Sequence, residues 1–336
     1  MTKEEKWKFY ENRWRFRDFY FHKVIRRHIC EKYLGFDPVM HFYANQWILG
    51  KKGTNRYITD KIMEGKPFMA ARFGYTELAV ITSILKRHLF GNLAENEKRY
   101  EEWFRLLAQG AGFFPDQPEL GEKFVEVMIS ACSQVDLLAM WHCPMEDYVI
   151  TEYMPETKLS FLGYLDPWRS KNPWSSALAG KKVLVIHPFE ESIQQQYKKR
   201  EDLFPGTEVL PDFELKTLKA VQTIAGERDD RFNSWFEALE YMYQRAMEID
   251  FDTAIIGCGA YGFPLAAKLK AAGKQAIHFG GATQILFGIK GRRWVENPRS
   301  GVKFNDAWVY PKASEVPKNS KAVKELDYKI WLQPQR

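Results

Sequence analysis

Cysteine is scarce in this 336-residue chain, with four residues, Cys30, Cys132, Cys143 and Cys258, at no paired spacing. Such a scatter fits neither a zinc site nor a disulfide framework, so reduced, mostly buried thiols are expected. No apolar run reaches the roughly 18 residues that a membrane span needs. The start, Met1-Thr2-Lys3-Glu4-Glu5-Lys6, lacks the apolar stretch of a secretory leader, and a cytoplasmic protein is the expectation. Also absent are a Ser/His/Asp order, an H-E-x-x-H helix and a P-loop ending in Gly-Lys-Ser/Thr, as well as internal repeats and low-complexity tracts.

Basic excess is equally scarce outside one segment. The whole chain carries a formal charge of +6, and residues 1–30 alone hold nine Lys/Arg against four Asp/Glu, a net of +5. There Trp7, Phe9, Tyr10, Trp14, Phe16, Phe19, Tyr20 and Phe21 interleave with Lys6, Lys8, Arg13, Arg15, Arg17, Lys23, Arg26 and Arg27. That pattern fits a helical arm that either lies in an anionic membrane interface, at the inner face of the plasma membrane, or packs its aromatics on protein. Nucleic acid is not an expected partner, because no positive footprint continues along the rest of the chain.

What is present is 45% hydrophobic residues, enough for a large core. Candidate strands at Phe68 to Arg72, Val135 to Met140, Leu159 to Leu162, Val183 to His187, Thr207 to Leu210, Thr253 to Ile256 and Gln275 to Phe279 alternate with helical stretches. Among those stretches are 76–87, 97–109, 121–132, 192–200, 217–225, 234–248 and 264–272. The alternation predicts an α/β, Rossmann-like, mostly parallel sheet with helices on both faces, plus the N-terminal helical arm. The expected organisation is an arm over 1–50, with a linker from Gly50 to Asn55, an α/β domain over 55–310 and a tail over 311–336. The domain is either single or split into lobes at about 55–175 and 180–310.

The strongest local signal is the strand Thr253 to Ile256 emptying into Gly257-Cys258-Gly259-Ala260-Tyr261-Gly262 ahead of a helix. Glycines at those offsets let a diphosphate approach the backbone and the helix start. A tight turn that is merely glycine-rich is the other reading. A dinucleotide dehydrogenase would end its next strand in an acidic residue for the ribose, whereas Gln275 to Phe279 runs into Gly280-Gly281-Ala282-Thr283. That second glycine pair fits another close approach to the same ligand, and an NAD-dependent oxidoreductase or epimerase becomes the alternative.

Ligands in such sheets sit at the carboxyl ends of the strands, which directs attention to the polar residues there. Arg72, Gly74, Tyr75 and Glu77 follow the first core strand, with Arg72 suited to a phosphate and Glu77 either to a ligand or to its own helix start. His187 ends another strand and is a candidate proton carrier, and Glu214, with Lys216, is expected on the same rim as a second acid or base. Beyond Gln284, Arg292 and Arg293 would neutralise a diphosphate, and Trp294 would stack on a base or sugar.

The run Met69-Ala70-Ala71-Arg72-Phe73-Gly74-Tyr75-Thr76-Glu77 resembles the Arg-Phe-Gly-Asp-Gly-Glu signature of bacterial glycosyltransferases with the GT-D fold. Phe251 to Gly281 is similar to that family's C-terminal strand, glycine turn, helix and strand, and residues 60–310 look like proteins of surface-polysaccharide loci. The resemblance implies sugar transfer from a nucleotide-diphosphate donor to a glycan or lipid-linked acceptor. It also implies a divalent metal, Mn²⁺ or Mg²⁺, held near Glu77. Tyr75 stands where the family has Asp, and a phenol is a poor ligand for either ion, which puts metal dependence in doubt. Arg72, Arg292, Arg293 and the helix start at Gly262 are the expected replacements. A non-catalytic nucleotide-binding member of a polysaccharide assembly also fits, and donor sugar, stereochemistry and homo-oligomer formation stay open.

Overall fold

A computed structural model of the chain describes residues 1–18, 20–34, 41–92, 94–296 and 300–319. Among these residues nine strands make one sheet: β1 (Phe42–Tyr43), β2 (Gln46–Leu49), β3 (Phe68–Ala71), β4 (Leu137–Met140), β5 (Lys158–Phe161), β6 (Lys182–His187), β7 (Glu214–Lys219), β8 (Thr253–Ile256) and β9 (Gln275–His278). The order is β1-β2-β5-β4-β3-β9-β8-β6-β7. Among the described residues only β1 and β2 pair antiparallel; the other strand pairings are parallel. Because β3 and β9 are neighbours, the early and late halves of the chain share one continuous sheet.

Side-chain alternation along the strands feeds two cores. Met69 and Ala71 of β3 enter one, with the helices Tyr75–Phe90, Ala94–Ala111, Gly121–Cys132, Trp235–Met247 and Gly262–Ala271. Phe68 and Ala70 enter the other, with the helices Lys51–Glu64 and Glu190–Tyr197 and the short turn Ala282–Leu286. A sheet covered on both faces explains why its strands read as continuous apolar runs. The chain leaving β3 goes to the first face and the chain leaving β9 to the second, so their carboxyl ends flank the switch point at which sheets of this kind have their ligand crevice.

The expected α/β fold is present, and the departures are local. Residues 207–210 form no strand. The expected helix 217–225 is instead occupied by β7, whose residues are half-buried at the sheet edge, followed by a short 3-10 turn. Gly50 to Asn55 is not a linker: Gly50 caps the helix Lys51–Glu64, and that helix buries Ile58 and Ile62 against the sheet. The arm begins with the helix Lys3–Arg13, closed by a reciprocal Thr2–Glu5 capping box. Its Trp7 and Tyr10 are buried against Tyr148, at ring-centroid distances of 4.8 and 5.9 Å. This first part of the arm therefore packs on protein. Among the described residues no helix is long and apolar enough to cross a membrane.

Candidate functional site

The crevice is built on glycine. β9 ends at His278, and Gly280 (φ +62°) and Gly281 follow it into the next turn. A Cβ on Gly280 would lie 3.3 Å from Nε of Arg72, which comes from the end of β3, and a Cβ on Gly281 would collide with the guanidinium of Arg293. Two guanidinium groups from distant parts of the sequence are thus laid over consecutive residues, about 3.8 Å apart at their Cα atoms. Arg72 is oriented by Nη1 donating to Phe73 O at 2.9 Å and by the Trp141 ring 5.6 Å beneath it. Arg293 lies 3.8 Å over the Trp294 ring and lowers the pKa of Asp166. Asp166 accepts from Nε of Arg169 at 2.8 Å, yet burial outweighs both cations and lifts its carboxyl to about 6.

Glu77 sits in the first turn of the helix Tyr75–Phe90, where a carboxylate is favoured by the helix dipole. Its carboxylate folds back over Gly74, filling the space that any Cβ there would need, and accepts from the Thr76 hydroxyl at 2.9 Å. The side chain is buried, so the helix start and the crevice compete for the same group. Tyr75 stands between Trp103 and Trp141, at 5.5 and 6.2 Å, and burial pushes its phenol up to about 12. Trp141, Tyr75 and Trp103 form an aromatic wall beside Arg72.

Trp141 is positioned by a carboxyl that inspection of the sequence passes over. Glu146, fully buried, accepts from the backbone N–H groups of Trp141 (3.2 Å) and Cys143 (3.1 Å) through Oε2, while Oε1 has no hydrogen-bond partner among the described residues. The turn that it ties carries two residues at positive φ, His142 (60°) and Met145 (61°). Burial raises the Glu146 carboxyl from 4.5 to about 8. The folded chain then keeps a proton that the unfolded chain releases, so this contribution is full below pH 4.5 and is lost as pH climbs toward 8. His187 and His278, both lowered from 6.5 to about 3, act oppositely and only below pH 6.5. Between pH 6.5 and 8 the thermal midpoint is therefore expected to fall with pH, and Glu146→Gln to flatten that slope. Equal slopes in the two proteins would contradict a protonated Glu146.

Several expected site residues lie elsewhere. The glycine turn after β8 is enclosed by protein. A Cβ on Gly257 would meet Gly280 O at 2.6 Å and Cδ2 of His187 at 2.8 Å, one on Gly259 would meet Ala111 O at 2.6 Å, and one on Gly262 would collide with the His278 ring. Ala260 and Tyr261 are buried, the latter stacked on Trp235 at 5.3 Å with its hydroxyl 3.1 Å from that of Thr223. Internal packing is thus a sufficient reason for glycine at these three positions. Arg292 points outward and pairs with Glu296 at 2.8 Å. Gln284 donates to Ile289 O at 3.3 Å and supports the loop that carries Arg293.

Two of the expected acid–base residues also change role. His187 is buried, accepts from Phe189 N–H at its Nδ1 (2.9 Å), and is held neutral by desolvation, so it fixes the end of β6 rather than carrying protons near pH 7. Glu214 begins β7 and pairs in register with Lys182 at the start of β6, which places it at the amino end of the sheet, opposite the crevice, in an ion pair with Lys216. The carboxyl-rim expectation for Glu214 is corrected by that register. Residues that the sequence reading passed over are Trp141, Glu146, Asp166 and His278. The strand-end rule would have found Glu146 had the helix Glu146–Tyr153 been recognised after β4.

A divalent ion near Glu77 would need companion ligands. Among the described residues no three His, Cys, Asp or Glu side chains gather into a metal-holding group, and the neighbouring position is the Tyr75 phenol. The donor set does not fit such an ion, and the positive charge of the crevice comes from arginine.

No family model matches the chain, and no curated protein does. Among solved structures, a selenomethionine-substituted domain of unknown function 1792 matches with a TM-score of 0.35 and 10% identity, covering 78% of this chain and 96% of that one. A likeness of that size carries no argument about activity.

Proposed function

We propose that this chain transfers a sugar from a nucleotide-diphosphate donor to a glycan or lipid-linked acceptor in bacterial surface-polysaccharide assembly. The observation that carries the reading is the convergence of Arg72 and Arg293 on Gly280 and Gly281 at the carboxyl rim of β3 and β9. Two guanidiniums at one strand rim suit a diphosphate, which presents oxygens that both planar forks can grip. The signature run through Glu77 supports sugar transfer over other chemistries of a diphosphate.

In this reading the bond between the sugar's anomeric carbon and the diphosphate oxygen breaks, and an acceptor hydroxyl oxygen bonds to that carbon. The nucleoside diphosphate leaves with its added negative charge stabilised by the two guanidiniums, which are fixed before reaction and need no reorganisation. Glu77 takes the hydroxyl proton, and the Tyr75–Trp141 wall stacks on the sugar or base.

The test is Glu77→Gln, which keeps shape and removes charge. Donor turnover, followed as nucleoside-diphosphate release, is expected to fall about 100-fold or more, with nucleotide affinity little changed. Full turnover in a variant with a lowered thermal midpoint would show that Glu77 serves only its helix.

A further inference from the structure

Beyond the short helix that docks on the body, the arm continues as π-helix over Trp14–Asp18 and Tyr20–Leu34, and the main packing partner of the second segment is the first. Several of its large apolar side chains face solvent: Phe16, Tyr20, Ile25, Ile29 and Tyr33 are all exposed, Phe16 to 70% and Tyr33 to 74%. In the second segment Tyr20, Ile25, Ile29 and Tyr33 are spaced by 5, 4 and 4 residues, which matches the roughly 4.4 residues per turn that i→i+5 bonding gives, so they fall on one stripe of this helix. By sequence, residues 14–34 hold six Lys/Arg against two Asp/Glu. A second exposed pair stands on the sheet edge, where Phe42 and Trp47 are cross-strand partners with rings 5.5 Å apart and Lys51 and Lys52 follow, also exposed. Asn45, in that hairpin, donates to the Tyr10 hydroxyl at 3.2 Å and ties it to the docked part of the arm.

We infer that the segments Trp14–Asp18 and Tyr20–Leu34, with Phe42 and Trp47, form a surface that binds an anionic lipid interface. A soluble protein seldom leaves an apolar stripe of this length uncovered. The accompanying charge selects an acidic occupant, with aromatics entering the headgroup layer and Lys/Arg meeting the phosphates. Trp7 and Tyr10 take no part, because they are buried in protein. The surface uses no residue of the crevice, so its test is independent of sugar transfer.

The full chain would be co-sedimented with phosphatidylcholine vesicles containing or lacking phosphatidylserine. Binding is expected only to the acidic vesicles, weakening as salt screens the attraction. The variant Phe16→Ser/Tyr20→Ser/Ile25→Ser/Ile29→Ser changes exposed positions only; it should keep the thermal midpoint and lose binding at least tenfold. Arg15→Glu/Lys32→Glu should lose binding in the same way without replacing a stripe residue, and serves if the first variant is unstable. Acidic-vesicle binding unchanged in both variants, no preference for phosphatidylserine, or a wild-type dimer that the serine variant converts to monomer would overturn the inference, the last by assigning the stripe to a second copy.

Discussion

Arg72→Ala combined with Arg293→Ala is expected to weaken binding of a nucleoside diphosphate about a thousandfold. A hydrogen bond to a charged group contributes about 1.5–3 kcal/mol, so each single replacement should cost roughly ten- to a hundredfold. The two guanidiniums lie over adjacent glycines and would grip one diphosphate, so the single losses need not add to the double. Arg293→Lys keeps the charge but not the planar fork and should fall between wild type and alanine. Calorimetric titration of each folded variant checks this. Wild-type affinity in the double variant would place the diphosphate elsewhere.

The second large effect concerns stability. Gly257→Val and Gly262→Val are expected to destabilise the fold by about 3 kcal/mol or more, because both collisions are with fixed partners in a packed interior. At Gly257 one of these partners is the Gly280 carbonyl, where backbone has to move, and at Gly262 it is the ring of His278, which is itself buried. Gly259 adds a left-handed backbone, φ +60°, that a branched residue adopts only with strain. Denaturant melts of the three valine variants measure the loss. A variant of unchanged stability that no longer binds nucleotide would restore the turn after β8 as the diphosphate cradle.

These glycines illustrate how far the sequence could be followed. The strand Thr253–Ile256 and the glycines behind it were legible, because a short apolar run and residues without Cβ are local signals. What enters the space beside each glycine was not, since Ala111, His187 and His278 arrive from other elements. The sequence named Arg72 and Arg293 for one diphosphate, but not their placement over neighbouring glycines, which depends on β3 and β9 being neighbours across the sheet. Glu214 was misplaced for a simpler reason: Thr207 to Leu210 imitated a strand, and that moved the rim by one element. In the arm, interleaved aromatics and bases announced amphipathic character, but only packing separates Trp7 and Tyr10, which meet Tyr148, from Phe16 and Tyr33, which meet solvent.

The central claim is that the arginine crevice at the carboxyl ends of β3 and β9 holds the diphosphate of a nucleotide-sugar. Calorimetric titration of the full chain with UDP, GDP, their sugar conjugates and NAD, each with and without Mn²⁺, tests it most directly. The account predicts saturable binding of at least one nucleoside diphosphate and its sugar conjugate, retained without Mn²⁺, weakened about a thousandfold in Arg72→Ala/Arg293→Ala, and no binding of NAD. Binding of NAD alone, or nucleotide binding that persists at full strength in the double arginine variant, would contradict it.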